Sequence, residues 1–300
     1  MALHLDTLLT RLFPLIPFLH TLSINPAFVL SRRALSSLAH REGAIHLRCL
    51  EGLSYVPPLS SSSSIAEEEE EEDPFVLLLR RCPHIEHLII IGQGLDPTEF
   101  LEFNFTGLAF TSVSLNLPKL RLLSLLSMHS SPLMQALLNS PLPALEKLEI
   151  TPYDDIPYPA SLSTHFIATH GHSLLSLLLF TPKSWPTRLR PSPDTLLAYC
   201  PSLHHLSCEA PLPNLTLSHS HHRLRMLSIP RPTTEFWRVL VDNHVLAMLP
   251  NLVVLRIRDV RWMRKGVSSL AQEAGVQGLM KEWKRRLERR GIQLLDADWK

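Results

Sequence analysis

Histidine and cysteine are the residues in this chain best suited to chemistry, and their spacing decides whether they can share a task. There are 16 histidines in 300 residues. Two local groups stand out, Ser218-His219-Ser220-His221-His222 and His204-His205 between Cys200 and Cys208. A zinc site made from one stretch of chain uses short Cys-x-x-Cys or His-x-x-x-His pairs that converge on one ion. Neither group has that spacing, and His205 and Cys208 are expected on opposite faces of one strand, so neither a metal nor a cofactor is expected. Catalytic signatures are missing too: there is no Gly-x-Ser-x-Gly elbow, no Gly-x-x-x-x-Gly-Lys-Ser/Thr phosphate loop and no His-Glu-x-x-His. Gly92-Gln93-Gly94 lacks the third glycine of a dinucleotide loop and reads as a turn. Asp154 and Asp155, flanked by Tyr153, Tyr158 and prolines, read as a surface loop rather than an acid/base pair. The expectation is a chain without catalytic residues.

Charge gives a second set of candidates. The net charge of +1 excludes a whole-molecule field that would draw nucleic acid or an anionic membrane. The cations gather late in the chain, at Lys281, Lys284, Arg285, Arg286, Arg289 and Arg290, with Arg256, Arg258, Arg261, Arg264 and Lys265 upstream. On a helix the first group forms a positive face. A nucleic-acid site would combine such a face with exposed aromatics, for which Trp262 and Trp283 are available. A solvated helix face is the simpler expectation, and nucleic-acid binding through this helix is the alternative function. Ser60 to Ser64 followed by Glu67 to Glu72 cannot bury apolar surface and is expected to form a flexible insertion.

The elements that must position these residues follow from a repeated pattern. A Pro, a spacer and then Leu-x-x-Leu-x-Leu/Ile recurs, as in Pro143 to Ile150, Pro83 to Ile90, Pro118 to Leu125, Pro201 to Cys208 and Pro250 to Ile257. Weaker copies lie at Pro17 to Ile24, Ala44 to Cys49, Leu174 to Leu179 and Leu224 to Ile229. The middle apolar residues are Leu22, Leu47, Leu88, Leu123, Leu148, Leu177, Leu206, Leu227 and Leu255. Their spacing of roughly twenty to thirty-five residues is that of a leucine-rich-repeat solenoid. The fold class expected is therefore α/β: an irregular solenoid with parallel strands on the concave face, helices and loops on the convex face and a C-terminal helical cap.

Proline presets an extended entry to each strand, and residues two apart then share a face. The leucines enter the core, and the alternate residues form an open ribbon. The candidate binding residues are His87, Ile89, Leu122, Ser124, Lys147, Glu149, Ser176, Leu178, His205, Ser207, Met226, Ser228, Val254 and Arg256. Helices are expected at Ser131 to Asn139, Pro193 to Cys200, Asp73 to Arg81 and Thr234 to Leu240, several opening on a cap residue followed by Pro. A helix from about Val267 to Arg290, a C-cap at Gly291 and a last strand at Ile292 to Leu295 form the terminal cap. The boundaries expected are 1–52 for the N-terminal repeats, 53–74 for the insertion, 75–265 for the main array and 266–300 for the cap.

Cys49, Cys82, Cys200 and Cys208 are too few for a disulfide framework, and three of them read as small apolar fillers at or beside repeat strands. The N-terminal stretch has no basic region and is broken by Arg11, Pro14 and Pro17, so neither a signal peptide nor a membrane span is expected. The expected location is the cytoplasm or nucleus.

The Cys-Pro-x-Leu/Ile-x-x-Leu entries at Cys82 and Cys200, the Leu-Pro-x-Leu entries at Leu117, Leu142 and Leu249, and the closing Trp283 to Leu295 segment resemble the repeats of fungal F-box/leucine-rich-repeat proteins. That resemblance implies a substrate-recognition relative of ubiquitin-ligase adaptors, whose F-box docks on the ligase scaffold while the repeats hold a protein. Here a repeat begins by Pro17, so an F-box is not expected within the residues before it, and Gln93, Met128, Tyr153 and Pro182 stand where the repeat consensus has Asn. A protein partner is expected, with the scaffold as a further partner only if an F-box is supplied upstream. A gene fragment without a retained role is the remaining alternative.

Overall fold

A computed structural model describes residues 2–56, 72–92, 113–128, 131–151, 162–180, 196–209, 223–242, 245–261 and 276–299. The chain is an α/β fold whose described strands, ten in all, run parallel and follow one another in chain order, consistent with a leucine-rich-repeat-like solenoid. It divides into two compact units, Met1–Phe166 with Thr181–Arg188, and Ile167–Phe180 with Leu189–Lys300.

In the first unit the strands are β1 (Thr21–Ser23), β2 (Cys49–Tyr55), β3 (His87–Gly92), β4 (Leu122–Leu126) and β5 (Lys147–Ile150). Leu22, Leu50, Leu88, Leu123 and Leu148 lie in register across them. The last four are fully buried, each contributing about 1.5–3 kcal/mol of transfer free energy. The second unit repeats this ladder with β6 (Ser176–Leu179), β7 (His205–Ser207), β8 (Met226–Ile229), β9 (Val254–Ile257) and β10 (Gln293–Leu295). There the core row is Leu177, Leu206, Leu227, Leu255 and Leu294.

One register differs from the sequence reading. Leu47 is not the strand residue of its repeat: it follows a 3-10 turn, Ala44–His46, and Leu50 occupies the ladder position. Leu47 instead fills the place held elsewhere by Ile85, Leu120, Leu145 and Leu203, three residues before the ladder leucine and equally buried. The shift of three turns Cys49 from the core toward the open face, because neighbouring strand residues point to opposite sides. β2 also runs on to Tyr55, past the expected boundary at residue 52.

Gly52 makes the rest of β2 possible. Its φ is +74°, and a Cβ there would lie 2.0 Å from the Ile24 carbonyl oxygen, so only glycine fits. At this point the pairing with β3 shifts, Leu50 matching Leu88 but Leu53 matching Ile90, a bulge in which Glu51 and Gly52 together stand against Ile89 alone.

Side-chain hydrogen bonds fix several of the helices. In the first unit, α1 (Ala2–Leu12) and α2 (Arg32–His40) were not anticipated by the repeat pattern. They are tied together by Ser37 Oγ donating to the Thr10 carbonyl at 2.7 Å, and by Asp6 Oδ1 accepting from the Ser31 amide at 2.8 Å. α3 (Pro74–Arg81) and α4 (Pro132–Leu138) begin as the sequence implies. Asp73 accepts from the Phe75 and Val76 amides and Ser131 from the Met134 amide. α5 (Leu162–His170) contains the division between units.

In the second unit, α6 (Leu196–Tyr199) covers only the end of its expected segment, the start of which lies outside the described residues. α7 (Thr234–Asp242) forms where expected, and α8 (Val276–Glu288) is the C-terminal helix. Gly291 closes it at φ +75°, and the chain returns as β10 beside β9. Trp283 of α8 stacks on Trp237 of α7 with ring centroids 4.8 Å apart, and both rings are buried. No described helix is long and apolar enough to cross a membrane.

Candidate binding face

Alternation along the strands leaves two rows of side chains opposite the core. In the first unit one row runs Thr21, Cys49, His87, Leu122, Lys147, and Ile89, Ser124 and Glu149 form part of the other. His87 is exposed, and Ile89, Leu122, Lys147 and Glu149 are half-buried. Ser124 is in the open row but only 1% accessible, because its short side chain sits below its neighbours, its hydroxyl 3.4 Å from Glu149 Oε2. Charged and apolar groups thus lie side by side.

In the second unit the rows run Ser176, His205, Met226, Val254, Gln293 and Leu178, Ser207, Ser228, Arg256, Leu295. Ser207 and Ser228 are buried, and the remaining predicted positions are half-buried. His205 is held at both ring nitrogens, Nδ1 3.2 Å from Ser176 Oγ and Nε2 3.1 Å from Ser228 Oγ, so the imidazole bridges three strands. Arg256 is also engaged. It donates from Nη2 to the Ala297 carbonyl at 2.9 Å, and its guanidinium lies 4.0 Å from the centre of the Trp299 ring. Burial, reinforced by Arg258, lowers its pKa from the ordinary arginine value. These two residues, read from the sequence as available for binding, are largely spent within the fold.

The basic helix keeps most of its charge at the surface. Lys281, Arg285, Arg289 and Arg290 are exposed and Lys284 is half-buried. Arg286 pairs with Glu282 at 2.6 Å and lies over the outer face of Trp283. Because Trp283 is in the core, it is not available as a stacking platform for bases; Trp262 lies outside the described residues. Of the two sequence clusters of histidines, His219, His221 and His222 also lie outside them.

The cluster that sequence reasoning missed is Cys49, Glu51 and His87. One donor atom from each lies within 4.8 Å of the other two. Cys49 Sγ and Glu51 Oε1 are 3.3 Å apart, with the thiol donating, and His87 stands beside Cys49 in the ladder. Burial and then the Glu51 carboxylate push the Cys49 thiol up to about 11. Cys82, Cys200 and Cys208 pack as small apolar fillers: all are fully buried, and burial raises each thiol to about 12. An i, i+2 Cys-x-Glu is too short a signal to notice, and its third member arrives from the next strand.

An apolar stripe is exposed at the N-terminal end of the first unit, formed by Leu5, Leu8 and Leu12 of α1 with Leu15 and Phe18 after it. No family model matches the chain, and no curated protein matches it in sequence.

Proposed function

We propose that the chain is a non-catalytic protein-binding module of the cytoplasm or nucleus, and that its open strand face holds the partner. The observation that carries this reading is the composition of the face in the first unit. Exposed His87 and half-buried Lys147 and Glu149 alternate there with Ile89 and Leu122, the mixture of apolar contact and orienting charge found where proteins meet. Phosphate recognition would favour a uniformly basic surface, and these rows do not supply one. Kinship with ubiquitin-ligase adaptors is part of the same proposal, with scaffold recruitment conditional on an F-box upstream.

The test is affinity capture from the native cell with the wild-type chain and with a variant carrying His87→Glu, Lys147→Glu and Glu149→Lys. Partners held by the face are lost from the variant. A set of partners unchanged by all three substitutions places binding elsewhere, and ligase scaffold subunits among the partners would add the adaptor role.

A further inference from the structure

We propose that Cys49, Glu51 and His87 form a site for a divalent transition-metal ion, zinc in particular, on the open face of the first unit. The donors are chemically matched: thiolate, carboxylate and imidazole together are a set zinc accepts, whereas magnesium and calcium take oxygen alone. Geometry brings them close before any ion enters. With Zn–S of about 2.3 Å and Zn–O of about 2.0 Å, a tetrahedral ion separates its sulfur and oxygen donors by about 3.5 Å. Cys49 Sγ and Glu51 Oε1 are already 3.3 Å apart. His87, exposed and adjacent to Cys49 across the ladder, already offers a ring nitrogen within 4.8 Å of both other donors.

The backbone supports this arrangement at two points. Cys49 and Glu51 share a face because they are two apart on β2. The Gly52 bulge then shifts the pairing with β3 immediately after them, so Glu51 has no single cross-strand partner on that side and can reach back toward Cys49. Binding replaces the thiol proton with the metal: the S–H bond is lost, a proton leaves to solvent and an S–metal bond forms, with no change of oxidation state. Three protein donors leave a fourth position for solvent or for a donor on a bound molecule, as in open zinc sites. The proposal stands on the geometry of β2 and β3 and does not depend on the face being a protein-binding surface.

The experiment uses the full chain and cobalt(II), whose thiolate charge-transfer absorption reports a sulfur ligand. We expect saturation at one equivalent, displacement by zinc, no charge-transfer band in Cys49→Ser, and affinity at least about tenfold weaker in His87→Ala and Glu51→Gln, since even an outer partner of a metal ligand is worth that much. Zinc should also slow alkylation of Cys49 by iodoacetamide in the wild-type chain. The other three cysteines are fully buried and do not compete in this assay. The proposal is overturned by absence of the band in the wild type, by a band that persists in Cys49→Ser, by affinity unaffected in His87→Ala, or by alkylation indifferent to zinc. His87→Ala changes an exposed side chain, so that outcome does not rest on a variant at risk of misfolding.

Discussion

His87 and His205 occupy the same place in their repeats, one residue before a fully buried leucine, and they have different fates. In the second unit His205 lies between Ser176 and Met226, with Ser228 one step further, and both its ring nitrogens are taken by hydroxyls. In the first unit His87 lies between Cys49 and Leu122, exposed and within reach of a thiol and a carboxylate. The strand, the face and the buried neighbour are alike. What separates a cross-strand spacer from a candidate ligand is the side chain that the stacking register sets beside it, together with the bulge that β2 carries against β3, where the β6–β7 pairing runs in unbroken register.

The comparison can be broken first at its common ground. Leu88→Ala and Leu206→Ala should each destabilise their unit by about 2–5 kcal/mol, the cost of a buried leucine cavity. Chemical denaturation that left one of them near wild type would show that the two ladders are not equivalent.

A smaller loss tests what anchors the first unit alone. Asp73 is 7% exposed, caps α3 and accepts from Tyr55 Oη at 2.7 Å, which ties the end of β2 to that helix. Asp73→Ala should cost about 2–3 kcal/mol, combining a lost cap with a stranded buried hydroxyl, and Asp73→Asn much less. Burial raises the carboxyl pKa in the folded chain. Between the unfolded and folded values the native state therefore holds the extra proton, and stability falls as pH rises through that window. Asp73→Asn should flatten that slope, measured by denaturation across a pH series; an unchanged slope would show that Asp73 does not set it.

The finest test is a crossed pair. His205→Ala leaves two hydroxyls without their bridge and should cost about 1 kcal/mol, with no effect on metal affinity. His87→Ala should cost less than about 0.5 kcal/mol of stability while weakening metal binding. Equal stability losses from the two would remove the distinction drawn between the units.

Much of the fold could be read without coordinates because its signals are local. The leucine of each strand is chosen by alternation within a few residues. Asp73-Pro74 and Ser131-Pro132 announce helices by capping chemistry contained in one turn. Gly291 announces its helix end in the same way. Reading failed where a local pattern had two registers. Ala44 to Cys49 fits the repeat with Leu47 as the strand leucine, and only the turn imposed by Gly43 and the pairing to β3 select Leu50. That error of three residues also put Cys49 on the core side of its strand.

The binding rows divide in the same way. Their positions follow from the period of two, so each predicted residue with a cross-strand partner lies opposite the core row. Their availability does not follow, since burial of Ser124, Ser207 and Ser228 and the cover that Trp299 places on Arg256 come from neighbours remote in sequence. The sequence by itself determined the parallel α/β stack and which side chains face its core, because side-chain direction along a strand is a property of the strand. Only the tertiary structure decided that Cys49, Glu51 and His87 meet, because cross-strand register, the Gly52 bulge and the resulting distances belong to pairs of strands and are written in neither strand alone.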